Sequence, residues 1–91
     1  MAQARNQMSK TMEKYLEDLH LAEFGNDEED IESNPRGFIK LLKRALKWKS
    51  FKNLEYVIEY LGAEDDERAE SIEGCKAIIE ETIQYLKEES L

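Results

Sequence analysis

Apolar side chains recur every three or four residues along most of this chain. The spacing is clearest in two sets, one near the start (Met12, Tyr15, Leu16, Leu19, Ala22) and one near the end (Ile72, Cys75, Ile79, Thr82, Leu86). Since an α-helix turns once in about 3.6 residues, this spacing places each set on one face of a helix. No alternation of β-branched residues indicates a strand, and only four glycines and one proline are available for turns. We therefore predict an all-α fold.

Capping residues divide the pattern into four predicted helices, which cover approximately residues 9–21, 35–48, 51–61 and 64–86. Ser9, Asn34 and Ser50 are suited to accept hydrogen bonds from free N–H groups at a helix start. Gly25 and Gly62 are suited to the left-handed residue after a helix end. The acidic residues 64–70 are expected to open the last helix, where carboxylates favour the positive end of the helix dipole. A glycine inside that helix, Gly74, predicts a bend or a close contact.

The remaining segments are a tail and a loop. Residues 1–8 are polar without a regular period, so we predict a flexible tail followed by a single helical domain at 9–91. Residues 27–32 form an acidic run between the first two helices, without the ligand spacing or the central glycine of a calcium loop. We expect a solvated acidic loop there. The predicted architecture is a small bundle of about four helices.

Positive charge is concentrated in one segment of an acidic protein. The formal net charge is −8, yet residues 36–52 contain seven lysines and arginines and no carboxylate. The six other basic residues stand against all 21 acidic ones, so the segment carries +7 and the rest of the chain −15. Net acidity repels nucleic acid at long range, but a local basic surface still binds phosphate when the acidic surface points elsewhere. Charge alone leaves both classes of partner open.

The basic segment is predicted to form an amphipathic helix. At 100° per residue, most of its cations fall within an arc of about 100°, and its large apolar residues cover the opposite half. We call the seven cations the basic face: Arg36, Lys40, Lys43, Arg44, Lys47, Lys49 and Lys52. The candidate interaction surface adds three aromatic residues, Trp48, Tyr56 and Tyr60, because aromatic side chains commonly supply interface energy.

The basic face has several interpretations. It can be the solvated outside of a core helix, with its cations balanced by the acidic runs at 27–32 and 64–70. It can instead bind a macromolecule through carboxylates or phosphates, with Trp48 as a stacking ring. Attachment to an anionic membrane is disfavoured, because the domain needs the apolar half for its core and lipid headgroups repel the remaining −15. No membrane partner is expected.

The third predicted helix is apolar on more than one side. Phe51, Leu54, Val57, Ile58 and Leu61 form one wide stripe, while the two tyrosines of the candidate surface lie roughly opposite. A helix of this kind is generally packed between neighbours, either inside the domain or across an oligomer interface. A homodimer is therefore an open alternative.

The stretch SFKNLEYVIEYLGAED, residues 50–65, resembles the closing helix of small bacterial repressor and antitoxin domains, in which a cap, a leucine-rich helix and a terminal Leu-Gly recur. The resemblance implies a helix-turn-helix DNA-binding unit. The chain departs from that pattern because it has no small-residue turn before this helix, and the helix is rich in Leu, Val, Ile and Tyr where a recognition helix is polar.

Residues suited to catalysis or cofactor binding are scarce. His20 and Cys75 are the only histidine and the only cysteine, and no motif orients them as a pair. The four glycines are isolated, so no phosphate-binding loop is predicted. A lone cysteine forms neither an internal disulfide nor a multi-cysteine zinc site. We expect no enzymatic activity and no cofactor or metal.

The sequence thus predicts a non-catalytic helical module that binds a partner protein as an adaptor, inhibitor or regulatory subunit. Docking would use the basic face or the acidic runs, between which the sequence does not decide. The alternative is a DNA- or RNA-binding regulator that uses the basic helix at 35–48. The lone cysteine and an N-terminus, MAQARNQMSK, without the apolar core of a signal peptide predict a cytoplasmic location.

Overall fold

The computed structural model describes residues 8–89, and the predicted tail at 1–8 lies outside the described residues except for Met8. Between residues 8 and 89 the chain forms four α-helices and no strand. They are α1 (Lys10–Phe24), α2 (Pro35–Ala45), α3 (Phe51–Leu61) and α4 (Ile72–Glu89). Two 3-10 helices, Asp27–Glu29 and Glu67–Glu70, lie in the connections. The predicted all-α fold of about four helices is confirmed.

The predicted caps start the first three helices. In each case a side-chain oxygen accepts a hydrogen bond from the backbone N–H group three residues later: Ser9 from Met12 at 3.1 Å, Asn34 from Gly37 at 3.0 Å, and Ser50 from Asn53 at 3.2 Å. Each bond satisfies an N–H group that has no partner within its helix. The start of these helices is therefore encoded locally.

The acidic segment between α1 and α2 is an exposed, ordered turn. The backbones of Asn26 and Ile31 pair through two hydrogen bonds of 2.7 and 2.9 Å. Gly25 has a φ of 70°, and a Cβ at this position would lie 2.4 Å from the Ile31 carbonyl oxygen, so only glycine permits this approach. As a result α1 continues to Phe24, beyond the predicted end at about Leu21.

The end of α2 also differs from the prediction. The α-helix stops at Ala45, where the sequence pattern indicated about Trp48. The N–H groups of Leu46, Lys47 and Trp48 donate to carbonyls three residues back, at 3.1 Å each. This tightening of the last turn is a common way to use the free carbonyls at a helix end. The last cations of the basic face therefore lie beyond the regular helix.

The predicted start of the last helix is wrong. Residues 64–70 do not open α4; the segment Glu67–Glu70 is a separate 3-10 helix, and α4 begins at Ile72. The backbone of Arg68 packs against Gly74 so closely that a Cβ there would lie 1.8 Å from the Arg68 carbonyl oxygen. The Arg68 guanidinium reaches across to Glu81 on α4. The segment therefore lies beside α4, and Gly74 marks a close contact.

The hydrophobic core draws on all four helices, and α4 packs against both α2 and α3, while α1 packs against α2 and more sparsely against α3. The buried side chains are Met12, Tyr15 and Leu19 of α1, Phe38, Leu42 and Ala45 of α2, Leu54, Val57 and Ile58 of α3, and Cys75, Ile78, Ile79 and Ile83 of α4. Among residues 8–89, no helix has the length and apolar character needed to cross a membrane.

Candidate functional site

All seven cations of the basic face are exposed to solvent. The first four of them, Arg36, Lys40, Lys43 and Arg44, lie on α2, and on the other side of that helix Phe38, Leu42 and Ala45 are buried. The prediction that charged and apolar side chains lie on opposite sides of this helix is therefore confirmed. Because the apolar half is used in the core, the surface that the segment offers to a partner is its charged half.

The cations of the basic face have no acidic partners within the described part of the chain. The ion pairs there join Lys14 to Asp18 within α1, and Arg68 to Asp66 and Glu81. None involves a residue of the basic face, so the acidic runs at 27–32 and 64–70 do not neutralise it through direct contacts. Of the interpretations that the sequence leaves open, internal charge balance has the least support in this geometry.

The aromatic members of the candidate surface are engaged within the domain. Trp48 is half-buried and meets the Tyr15 ring edge-on, with ring centroids 4.7 Å apart. Such an arrangement is favourable for two aromatic rings, and it occupies part of the indole surface that a nucleic-acid base would otherwise contact. The guanidinium of Arg44 lies 5.7 Å from the centroid of the same Tyr15 ring. Trp48 therefore supports the packing of α1 on the end of α2.

The two tyrosines of α3 are half-buried. The Tyr60 hydroxyl donates to a carboxylate oxygen of Glu23 at 2.5 Å, and its ring lies 6.4 Å from that of Phe38. Burial, then the hydrogen bond to Glu23 and its charge, raises the pKa of Tyr60 above the ordinary value. Tyr56 packs against the hydrophobic core. The structure thus places the cations on the surface and turns the aromatic residues inward.

A groove beside the basic face brings in residues that the sequence did not indicate. It lies between α2 and the end of α4 and has a volume of about 870 Å³. We call it the basic groove; its lining includes Arg36, Ile39, Lys40, Lys43, Lys87 and Glu88. Lys87 is far from the basic segment in sequence, so only the packing of α4 on α2 reveals its place here. The single sequence signal was its position as a cation near a helix C-terminus.

A second groove lies on the other side of α2, next to α1 and the acidic loop, with a volume of about 590 Å³. Its apolar lining includes Leu21, Ile31 and Leu41. Its charged lining is mixed, because Asp18 and Glu32 stand with Lys40 and Arg44. Mixed signs give this groove less preference for an anionic partner than the basic groove has.

The acidic surface is concentrated around α3 and the segment that precedes α4. A groove of about 550 Å³ there is lined by carboxylates, including Glu55, Glu59, Glu64 and Glu70. Asp66 also lines this groove, and the hydrogen bonds from Arg68 lower the pKa of its carboxyl group to about 2. No carboxylate of this surface forms an ion pair with a cation of the basic groove in the described residues. Since Asp18 and Glu32 line the second groove together with Lys40 and Arg44, the segregation of the two charges is only partial.

The residues with catalytic potential are separated. Cys75 is buried in the core, where its thiol lies 3.4 Å from the Ala69 carbonyl oxygen; burial, together with the charge of Glu55, raises its pKa. A raised pKa makes a thiol less nucleophilic at neutral pH. His20 is exposed on α1, with its ring beside Phe24. Among residues 8–89, no cluster of His, Cys, Asp or Glu is arranged to hold a metal ion.

The feature that stands out is therefore an exposed basic face whose cations form no ion pair within residues 8–89, next to a groove that α4 completes with a further cation. Comparison with protein-family models, curated proteins and solved structures finds no match to this chain.

Proposed function

We propose that the protein is a non-catalytic binding module that docks through its basic face on an anionic surface of a partner protein, as an adaptor, inhibitor or regulatory subunit. One observation carries the proposal: the seven cations of residues 36–52 are all exposed, and none has a carboxylate partner in the described residues. Like charges held close together repel one another and cost folding free energy. An anionic partner removes that repulsion, and its own charge pattern fixes the orientation of docking.

The rest of the surface favours a protein over nucleic acid as the partner. Outside residues 36–52 the chain carries −15, which repels a long polyanion but is tolerated by a partner whose acidic charge is confined to one patch. Trp48 is also half-buried and in contact with Tyr15, which limits its use as a stacking ring for bases. A partner that acts through carboxylates therefore fits the molecule better than one that acts through a continuous phosphate backbone.

The test compares two baits in extracts of the native host: the wild-type protein and the variant K40E/K43E/K47E. We expect the variant to lose the partner, while a control with reversed charges on the acidic surface, E64K/E67K/E70K, keeps it. Both variants should keep the wild-type circular dichroism spectrum and unfold cooperatively, because all six side chains are exposed. If K40E/K43E/K47E retains the partner, docking does not use the basic face.

The second candidate function is a DNA- or RNA-binding regulator, favoured by the continuous run of exposed cations along α2 and the turn after it. Binding of generic duplex and single-stranded nucleic acid, measured at about 20 mM and about 200 mM salt, separates the two candidates. A protein that neutralises several phosphates binds at low salt and loses affinity steeply as salt rises. We expect no binding at either concentration; steep salt-dependent binding would favour the second candidate.

A further inference from the structure

The basic groove has the composition of a site for a ligand that is both acidic and apolar. Three cations of α2, Arg36, Lys40 and Lys43, and one of α4, Lys87, line it against a single carboxylate, Glu88. All four cations are exposed, and no ion pair among residues 8–89 involves any of them. The groove therefore offers four unpaired positive charges that converge from two helices.

The uncharged lining of the groove includes one large apolar side chain, Ile39, together with the polar side chains of Asn34 and Gln84. Ile39 is half-buried, packs against the core, and lines the same groove. The methylene stems of lysine and arginine side chains add further apolar surface, because such side chains lie along a surface while their charged ends reach water. The volume of about 870 Å³ is within the range of sites that enclose a small ligand, and is large enough for one or two large side chains.

The combination of cations and an apolar side chain favours an acidic peptide over a nucleic acid as the ligand of the groove. A phosphate backbone would pair with the cations and leave the surface around Ile39 without an apolar contact. A peptide that places carboxylates on either side of a leucine or phenylalanine satisfies both parts of the lining. Charge complementarity and an apolar anchor are the two features by which peptide-binding grooves gain specificity and affinity.

We propose that the basic groove binds a short acidic segment of a partner protein, with a large apolar side chain of that segment against Ile39 and its carboxylates near Lys40, Lys43 and Lys87. This inference rests on the proposed function, since it specifies where on the basic side the anionic partner docks and which chemistry it presents. It also gives α4 a part in binding through Lys87.

The test begins with a phage-displayed library of random peptides of about twelve residues, selected against the full-length protein at about 150 mM salt. We expect the enriched peptides to carry several carboxylates around a large apolar residue. A synthetic copy of the leading peptide is then titrated with the protein by fluorescence anisotropy. Replacement of its apolar residue by serine should weaken binding at least about tenfold. Absence of enrichment, or enrichment of peptides without that pattern, would overturn the proposal.

Two triple variants with the same change in charge locate the site. K40E/K43E/K87E alters the basic groove, whereas K47E/K49E/K52E alters exposed cations of the basic face that do not line it. We expect the first variant to lower the affinity for the synthetic peptide at least about tenfold. The second should lower it less than about threefold, because exposed charges outside the groove are screened. Circular dichroism spectra of both variants confirm that each is folded.

The remaining outcomes separate the two proposals. Equal losses in both triple variants would overturn the groove as the site and leave docking through the basic face intact. Peptide binding that neither variant weakens would overturn the groove proposal. The proposed function would then be tested separately, by partner capture with K40E/K43E/K47E.

Two other occupants of the groove would also overturn the inference. One is duplex DNA that loses affinity in K40E/K43E/K87E, and the other is self-association that the same variant abolishes.

Discussion

Tyr15 joins α1 to α2 through both its hydroxyl and its ring. The hydroxyl donates to the Leu41 backbone carbonyl at 2.5 Å, while the ring packs edge-on against Trp48. Burial raises the pKa of Tyr15 above the ordinary value of 10.0, and the nearby charge of Arg44 lowers it by less. The pKa of Tyr15 is therefore higher in the folded state than in the unfolded state. As a result, the protonated Tyr15 hydroxyl contributes fully to the free energy of unfolding below a pH of about 10, and this contribution is lost as the pH rises above that value.

Removal of this hydroxyl by Tyr15→Phe should lower the free energy of unfolding by about 1 kcal/mol, since the Leu41 carbonyl loses a part-buried donor. Urea denaturation at neutral pH measures the change. Tyr85→Phe is the matched control. Because Tyr85 is 61% exposed, this variant should be as stable as the wild type. Y15F should also lose less stability than the wild type as the pH is raised above about 10. Equal stability of Y15F and the wild type would show that the hydroxyl contributes nothing.

Gly74 is a position at which helix propensity and packing predict opposite effects. Alanine is favoured over glycine inside a helix by about 1 kcal/mol, so propensity alone predicts that Gly74→Ala stabilises α4. The added Cβ would lie 1.8 Å from the Arg68 carbonyl oxygen, which forces the 3-10 helix away from α4. We expect the free energy of unfolding, measured by thermal denaturation, to fall by about 1 to 3 kcal/mol.

Gly37→Ala provides the contrast for Gly74→Ala. At Gly37 the atom nearest to an added Cβ is the Asn34 side-chain nitrogen at 2.7 Å, and a side chain can rotate where a backbone carbonyl cannot. We therefore expect Gly37→Ala to cost less than Gly74→Ala. If Gly74→Ala were as stable as the wild type, the close approach of Arg68 to α4 would be wrong.

Besides the close packing at Gly74, one charged side chain joins the 3-10 helix Glu67–Glu70 to α4: Arg68 donates to both carboxylate oxygens of Glu81 and to those of Asp66. These hydrogen bonds lower the pKa of Glu81 and that of Asp66, so each carboxylate stabilises the fold at neutral pH and loses that effect on acidification. Arg68 and Glu81 are exposed, and exposed ion pairs contribute little to global stability. The expected consequence of losing the pair is local.

Glu81→Gln should therefore leave the global unfolding midpoint close to that of the wild type but loosen the 3-10 helix. Faster hydrogen exchange at the Ala69 amide, which donates to the Asp66 carbonyl at 2.9 Å, would report that loosening. Glu80→Gln is the control, because Glu80 is exposed and is not part of this cluster. Equal exchange at Ala69 in the two variants would argue that Arg68 does not hold the segment.

The elements that could be predicted are those whose signals are local. The caps Ser9, Asn34 and Ser50 and the amphipathic pattern of α2 depend on residues within a few positions of one another, and the structure contains all of them. α4 begins instead just after Ser71, whose side-chain oxygen accepts a hydrogen bond from the Gly74 N–H group at 3.0 Å, a cap that the acidic run before it obscured in the sequence. Acidic residues suit a helix N-terminus, so the pattern favoured the wrong element there.

The candidate site divides in the same way. The exposed cations follow from the helical period, whereas the inward position of Trp48 depends on Tyr15, which lies on another helix. The sequence could not show that Lys87 lies beside Lys43, because this requires the packing of α4 on α2. A charge pattern thus located the surface, and only tertiary contacts defined the groove.

The distribution of apolar side chains over the domain determines whether it needs a second copy of itself. The wide apolar stripe of α3 is used inside one chain, since Leu54, Val57 and Ile58 are buried there. Among the described residues, the exposed large apolar side chains are Phe24, Ile31 and Tyr85. Specific dimers usually bury about 800 Å² on each partner around an apolar centre, and three such side chains supply little of that area.

We therefore expect the protein to be a monomer at micromolar concentrations. This expectation disfavours the homodimer that the apolar pattern of the third helix left open as an alternative. Sedimentation equilibrium over a concentration range of about twentyfold should give a constant mass of 10.7 kDa. A mass that rises with concentration would contradict the prediction.

The variant Phe24→Ser would then identify the surface through which the copies associate. Because Phe24 is 64% exposed, this change should leave folding intact, and it should abolish association only if the apolar side chain of Phe24 forms the contact. Association that persists in F24S but disappears at high salt would instead place the basic face of one copy against the acidic surface of another.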